Sequence, residues 1–188
     1  IPFVYASTGD VFGAGPEVVT ETESVYSPTS FYAFTKASAE LLLRPFSDIT
    51  PVAIMRLFHP YGPGGDSFLV NRLVQRVLAG ETISVERNGG ILLNPVWIDD
   101  LADGLCTAIE RQVSGIFHLA GNETVRLENL VETIAELAGV DVNMTTADAD
   151  PPGGHAGIYE RATSEFAFNP ETSLVTGLQH LICQETIA

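Results

Sequence analysis

Tyr32 and Lys36 lie four residues apart at the start of a predicted helix, and Lys36 is the only lysine in the chain. Residues i and i+4 share one face of a helix, so the phenol and the ammonium group are predicted to be neighbours. A cation beside a tyrosine favours the phenolate, and lowering its pKa from about 10 to about 7 requires roughly 4 kcal/mol. The pair therefore indicates a tyrosine that acts as a base near neutral pH, with an ordinary surface pair as the alternative.

Two buried strands are predicted to end close to this pair. The first is the apolar run 1–6, which leads into the hydroxyls of Ser7 and Thr8. The second covers 51–58 and leads into the Gly- and Pro-rich loop 59–65. Ligands bind at the carboxyl ends of the strands in open α/β sheets, so we expect these three elements to converge on one cleft.

Strand and helix patterns alternate along the chain, which predicts α/β layering around a parallel sheet. Helices are expected over 31–44 (capped by Thr29 or Ser30), 68–79, 99–110, 127–138 and 174–182, and further strands over 82–85, 91–98 and 116–119. The apolar stripe of 127–138 is expected to be core. Residues 14–30 and 145–157 are predicted loops, the second of them mobile.

Composition disfavours several classes of function. The 188 residues carry a formal net charge of −15, which disfavours binding to nucleic acid or to an anionic membrane. No transmembrane run is recognisable. Cys106 and Cys183 lie far apart, without the spacing of a metal site or a redox dithiol, and are expected to be buried or free thiols. Such cysteine usage is typical of a reducing compartment, so the expected location is cytoplasmic.

Together, these motifs resemble the extended short-chain dehydrogenase/reductase family, the NAD-dependent epimerase/dehydratase group. The matching segments, in family order, are 6–13 (ASTGDVFG), the Tyr32/Lys36 pair, 56–64 (RLFHPYGPG), 94–102 (NPVWIDDLA) and 169–174 (NPETSL). The resemblance implies a partial doubly wound, Rossmann-like parallel sheet with a small C-terminal substrate-binding lobe. Residues 1–66, with 91–120 returning to the sheet, would belong to the dinucleotide-binding domain, and 67–188 mainly to the lobe.

The glycine-rich turn that binds the pyrophosphate of a dinucleotide is missing from the sequence. No Gly-x-Gly-x-x-Gly follows any predicted strand. By the resemblance, the chain corresponds to the C-terminal portion of a longer enzyme, whose preceding segment of roughly 100 residues would hold the first βαβ units. We therefore expect the 188 residues by themselves to bind a cofactor weakly and to be inactive.

The resemblance also implies roles at the site. Tyr32 would be the catalytic base, Lys36 would hold the phenolate and the cofactor ribose, and Thr8 would bind the same substrate oxygen. A strand-end cap is the alternative role for Thr8. Further expected cofactor contacts are Ala6, Ser7 and Phe58. The cofactor would be NAD or NADP, with NAD favoured, and no metal is expected.

On the substrate side, the expected contacts are Thr8, Asp10, His59, Phe68 and Arg72. His59, with an ordinary pKa of about 6.5, could donate a hydrogen bond or add positive charge at mildly acid pH. Asp10 matches an acid/base glutamate of the sugar dehydratases, but the acidic residue that they place before it is Gly9 here. Elimination of water needs both an acid and a base, so dehydratase activity is the weaker interpretation.

The substrate is expected to be small and sugar-like. Relatives that act on nucleotide sugars carry an Asn-Leu pair and two arginines where this chain has Phe68-Leu69, Leu93 and the region 152–153. A pyrophosphate is bound best by arginines that donate two hydrogen bonds to it. The ligand is therefore expected to lack a pyrophosphate, unless Arg72, Arg87 or Arg161 compensates.

Three functions remain open. The favoured one is an NAD(P)-dependent oxidoreductase acting on a sugar-like hydroxyl or ketone. The second is a nucleotide-sugar 4-epimerase similar to UDP-glucose 4-epimerase, and the third is a noncatalytic binding domain. The family also implies a homodimer, for which Phe31, Phe34 and 41–43 are the apolar candidates, with burial in the core as the alternative.

Overall fold

The computed structural model describes residues 1–22, 26–148 and 154–187. Its strands, in chain order, are β1 (Phe3–Thr8), β2 (Val18–Val19), β3 (Val52–Leu57), β4 (Pro60–Tyr61), β5 (Ile83–Glu86), β6 (Leu92–Leu93), β7 (Val96–Trp97), β8 (Gly115–Leu119), β9 (Val125–Arg126), β10 (Met144–Ala147) and β11 (Ala156–Gly157). Its helices are α1 (Phe31–Leu43), α2 (Leu69–Leu78), α3 (Ile98–Glu110), α4 (Leu127–Ala138), α5 (Glu160–Phe166) and α6 (Leu174–Ile187). Each predicted helix is present, although α6 extends beyond its expected end.

The central sheet is parallel and has the strand order β1-β3-β8. Thr8 pairs with Leu57, and Leu57 pairs with Leu119, so the three strands end at the same edge. The middle strand is buried from Val52 to Arg56, as expected for a strand covered on both faces. This sheet confirms the predicted α/β class with a Rossmann-like arrangement.

Two large apolar clusters hold the elements together. One contains Met55 and Phe117 from the central sheet and Phe166 from α5. The other joins α2, α4 and α6 through side chains such as Val74 and Leu130, both fully buried. The stripe on α4 is therefore core, as its spacing predicted.

Helix α1 begins at a side-chain cap and leaves much of its apolar surface exposed. The hydroxyl oxygen of Ser30 accepts a hydrogen bond from the Ala33 amide at 3.1 Å, so Ser30 is the cap. Phe31 is 85% exposed and Phe34 is 61% exposed, while Leu42 is 72% exposed. Burial in the core, the alternative considered for these side chains, is wrong because α1 turns mainly alanines and Glu40 inward.

Both predicted loops contain short strands. Within 14–30, β2 pairs with β11, and within 145–157, β10 pairs with β5. Predicting only loop there was wrong, because such short strands are stabilised by partners far away in the chain. The predicted mobility of 145–157 stays a prediction, and residues 149–153 of that loop lie outside the described residues. The extended piece 91–98 forms β6 and β7 and then enters α3.

None of the helices in the described ranges is both long and apolar enough to cross a membrane. Those ranges also contain no cluster of three or more His, Cys, Asp or Glu side chains arranged to hold a metal ion. Cys106 and Cys183 are exposed free cysteines.

Candidate active site

A cavity of about 480 Å³ lies at the carboxyl ends of β1 and β3. This volume falls within the range of small-molecule pockets. The predicted site residues that line the cavity are Ser7, Thr8, Asp10, Tyr32, Phe58, His59 and Phe68. Ala6, Lys36 and Arg72 do not line it. The edge of the sheet therefore gathers most of the predicted residues, as the strand ends suggested.

Tyr32 and Lys36 are neighbours, but the hydrogen bond of the Lys36 ammonium group goes to the backbone of β1. Lys36 Nζ lies 5.7 Å from the centre of the Tyr32 ring and donates a hydrogen bond to the Ala6 carbonyl at 2.7 Å. The pKa of Tyr32 is raised above its ordinary value, first by partial desolvation and then by the charge of Asp10, while contact with the Thr8 hydroxyl lowers it. The expected lowering of this pKa is therefore wrong for the chain alone, because desolvation dominates.

The two hydroxyls after β1 have different partners. Thr8 Oγ1 accepts a hydrogen bond from the Asp10 amide at 3.2 Å and caps a short 3-10 helix over 9–12. The capping role considered for Thr8 is thus present, and its O–H can still donate to a ligand. Ser7 instead donates its hydroxyl hydrogen to Glu40 Oε1 at 2.5 Å. Thr8 is therefore the better placed of the two to donate to a substrate.

His59 and Phe58 follow β3 and are constrained in different ways. His59 has a left-handed backbone with φ of 46°, and burial lowers its pKa to about 4. The expected gain of charge at mildly acid pH is therefore wrong, and His59 is a neutral hydrogen-bonding group. Phe58 is 1% exposed, and a Cβ at Gly9 or Gly157 would lie within 2.6 Å of its ring. Core packing holds this ring at the cavity wall.

None of the three arginines considered for a pyrophosphate lines the cavity. Arg87 pairs with Asp148, and Arg161 pairs with Glu165. Arg72 is exposed on α2. All nine lysines and arginines fall within the described ranges, and none of them lines the cavity. The region 152–153 lies outside the described residues.

His155 lines the cavity and was not predicted from the sequence. It is 3% exposed, and its two ring nitrogens lie 2.6 Å from the Pro16 carbonyl oxygen and 3.0 Å from that of Gly13. The pairing of β11 with β2 brings this residue to the site. No local pattern could have indicated that pairing.

A family model described as the NAD dependent epimerase/dehydratase family matches residues 1–145. Protein CapI of Staphylococcus aureus is 23% identical over 205 residues, covering 95% of this chain and 61% of CapI. UDP-glucuronate 4-epimerase 2 of Arabidopsis thaliana is 29% identical over 204 residues, covering 95% of this chain and 47% of that protein. The chain thus spans between 47% and 61% of the length of these two relatives.

Solved structures share the fold. The dTDP-glucose 4,6-dehydratase of Bacillus anthracis in complex with NAD has a TM-score of 0.85 at 22% identity, over 100% of this chain and 62% of that one. The UDP-glucuronic acid 4-epimerase of Bacillus cereus in complex with NAD has a TM-score of 0.84 at 22% identity, over 99% and 62%. Given the strand-end cavity and a family match across most of its length, this chain belongs to the NAD-dependent epimerase/dehydratase family.

Proposed function

We propose that this protein is an NAD-dependent oxidoreductase that transfers hydride to or from a sugar-like hydroxyl or ketone. The observation that carries the proposal is the convergence of Tyr32 and Thr8 on one cavity, with Lys36 directly behind them. Relatives named as 4-epimerases and structures named as NAD complexes support the same chemistry.

In this proposal, Thr8 donates a hydrogen bond to the reacting oxygen of the substrate, and Tyr32 exchanges a proton with that oxygen. Because the pKa of Tyr32 is raised in the chain alone, the resting side chain is the protonated phenol. That form suits reduction of a ketone, in which the tyrosine gives its proton. Oxidation of a hydroxyl requires the phenolate, which positive charge beside Tyr32 would favour.

The walls of the cavity fit the reactive end of a nicotinamide dinucleotide. A phenol and a threonine hydroxyl occur together there, and only a glycine fits at position 9 against the Phe58 ring. When bound, the cofactor supplies the acceptor or donor of hydride. Lys36 would hold its ribose, and Ala6, Ser7 and Phe58 would lie along it. NAD is favoured over NADP, although one structure with this fold is named as an NADPH complex.

For the substrate, we propose a small sugar-like molecule that contacts Thr8, Asp10, His59 and Phe68. The absence of lysine and arginine from the described cavity wall favours a ligand without a diphosphate. Arg72, the remaining residue suggested as a substrate contact, is exposed on α2 and does not line the cavity. Calorimetry with uridine diphosphate is expected to detect no tight binding, and tight binding would contradict this substrate class.

A nucleotide-sugar 4-epimerase is the second candidate, because it would use the same first proton and hydride transfers and because relatives carry that name. Net formation of reduced cofactor on substrate addition is expected for the oxidoreductase. Turnover without net reduction is expected for the epimerase. A noncatalytic binding domain is the third candidate, and it would show neither.

Replacement of Tyr32 tests the shared chemistry. In the full-length enzyme, Tyr32→Phe is expected to lower turnover at least about 100-fold, because it removes the group that exchanges the proton. Steady-state kinetics would measure this loss, with Tyr5→Phe as the control for removing a phenol nearby. Near-normal turnover of Tyr32→Phe would exclude Tyr32 from the mechanism.

We further propose the division expected from sequence, with 1–66 and 91–120 forming the cofactor-binding part and 67–188 mainly the substrate lobe. The apolar cluster that joins α2, α4 and α6 supports a lobe in 67–188, whereas α5 packs against the central sheet and would belong with the cofactor-binding part.

A homodimer through α1 and a cytoplasmic location likewise stay predictions.

A further inference from the structure

A completely buried ion pair lies directly behind the cavity. Glu40 on α1 and Arg56 on β3 both have side chains with 0% exposure. Arg56 Nη2 donates to Glu40 Oε2 at 2.8 Å, and Arg56 Nε donates to Glu40 Oε1 at 3.2 Å. The guanidinium also lies over the Phe12 ring, 4.7 Å from its centre. The pair therefore joins a helix and a strand with fixed geometry.

Further hydrogen bonds extend the pair into a network. Ser7 donates to Glu40 Oε1, and Tyr26 donates to Glu40 Oε2 at 2.8 Å. Each oxygen of the carboxylate thus accepts two hydrogen bonds. Arg44 Nη2 in turn donates to the Tyr26 hydroxyl at 2.8 Å. The network connects β1, β3, α1 and the segment that precedes α1.

Stability alone is a poor explanation for this arrangement. Burying two charges carries a large desolvation cost, and well-packed apolar replacements of such pairs are often neutral or stabilising. Directional bonds instead fix the relative placement of the elements that they join. Glu40 lies one turn after Lys36 and two turns after Tyr32, on the same face of α1.

The contacts along this face are distributed over adjacent residues of β1. Lys36 binds the carbonyl of Ala6, and Glu40 binds the hydroxyl of the next residue, Ser7. The residue after that is Thr8, which lines the cavity together with Tyr32. A shift of α1 along β1 would therefore break both hydrogen bonds and move Tyr32 relative to Thr8.

We propose that Glu40 and Arg56 are positioning residues, which hold α1 against β1 so that Tyr32, Lys36 and Thr8 meet at the cavity. This inference rests on the proposed function of that site. It assigns the buried pair to the geometry of the reaction rather than to the stability of the fold.

Lys36 provides a direct test, because a protein labelled with 15N-lysine contains a single lysine ammonium group. In the double variant Glu40→Met/Arg56→Met, the thermal midpoint is expected to stay near that of the parent. The Lys36 ammonium signal is expected to shift or to be lost by faster proton exchange. The exposed pair Arg76–Glu81 offers a matched control, and Arg76→Met/Glu81→Met should leave the Lys36 signal unchanged.

An unchanged Lys36 signal in a folded double variant would overturn the proposal. Should that variant not fold, Glu40→Gln decides, because it keeps the shape of the side chain and removes the charge that pairs with Arg56. A shifted Lys36 signal in Glu40→Gln supports the positioning role, and an unchanged one overturns it.

Kinetics add a second measurement. In the active enzyme, the folded double variant is expected to lose about 100-fold in kcat with little change in KM, as misplaced reacting groups do. The NMR measurement needs no substrate. A full-length enzyme that lacks the proposed activity, together with a Lys36 signal that responds as expected, would contradict the proposed function and still support the positioning role.

Discussion

At the scale of single residues, the environment of Tyr32 decides what its hydroxyl can do. Its phenol is partly desolvated, faces the carboxylate of Asp10 and contacts the hydroxyl of Thr8. The first two effects disfavour the phenolate, and the third favours it. Nearness to an ammonium group is therefore not sufficient to make a tyrosine acidic when the ammonium is hydrogen-bonded to a carbonyl.

Substitutions around Tyr32 should move its pKa in opposite directions. Asp10→Asn is expected to lower this pKa, because a negative charge that opposes the phenolate is removed. Thr8→Val is expected to raise it, because a hydrogen-bonding contact is lost. NMR titration of tyrosine labelled at the ζ carbon would measure both, with assignment by Tyr32→Phe. Asp48→Asn, on the 3-10 turn after α1, serves as the charge control.

His118 is a buried histidine without a hydrogen-bond partner for either ring nitrogen among the described residues. The Ile158 backbone lies near enough to raise its pKa but outside hydrogen-bond geometry. Burial dominates and, with the charge of Arg56, lowers the pKa to about 3. The unfolded chain therefore binds a proton at this histidine from about pH 6.5 downward, while the folded chain does not until about pH 3.

Stability should consequently fall with acidification in the window between those pH values. Going from pH 7 to pH 5, His118 is expected to remove about 2 kcal/mol from the free energy of unfolding. Chemical denaturation at both pH values would show this as a smaller pH dependence for His118→Leu than for the parent. Equal pH dependence of the two proteins would contradict the proposed burial of a neutral imidazole. His59 acts in the same direction, so some pH dependence should persist.

At the scale of elements, Gly177 sets how closely α6 approaches β4. A Cβ at this position would lie 2.2 Å from the hydroxyl oxygen of Tyr61, a residue with 0% exposure. No hydrogen-bond partner of that hydroxyl is present among the described residues. Close contact between a helix and a buried ring, rather than helix propensity, therefore explains the glycine.

Gly177→Ala tests this contact. Alanine is normally better than glycine in a helix by about 1 kcal/mol, yet here it is expected to destabilise by about 1–3 kcal/mol through overpacking. Thermal or chemical denaturation would measure whether the free energy of unfolding falls or rises in this variant. In the double variant with Tyr61→Phe, which removes the nearest atom, part of the loss should return. A stabilising effect of Gly177→Ala alone would show that α6 can move away.

At the scale of the whole molecule, net charge and exposed apolar surface have opposite effects on the association of two copies of the chain. A net charge of −15 opposes association of two copies, most strongly at low ionic strength. The apolar face of α1 favours association, since Phe31, Phe34 and Leu42 are all more than half exposed. Salt should therefore promote any dimer that forms through this face.

The proposed homodimer can be tested by sedimentation in 0.5 M salt, roughly where charges are screened within a few ångströms. Phe31→Glu is expected to convert a dimer to a monomer by placing a charge in the contact. Ile109→Glu makes the same change of charge on α3, at a side chain that is 48% exposed, and should leave the dimer intact. An equal effect of the two variants would point to net charge rather than to the α1 face.

The sequence determined the elements whose signals are local. The α4 stripe follows helical spacing, and the buried run of β3 is continuous in the chain, so both could be predicted correctly. The convergence of Thr8, Tyr32 and His59 could also be predicted, because the strands of a parallel sheet end at one edge.

Only the tertiary structure decided the features that depend on distant partners. Glu21, in a predicted loop, accepts hydrogen bonds from the amides of His118, Arg161 and Ala162, and His155 reaches the cavity through the pairing of β11 with β2. The raised pKa of Tyr32 likewise depends on residues that are distant in the chain. Desolvation and hydrogen-bond partners depend on which atoms surround a group in space, and residue spacing along the chain does not carry that information.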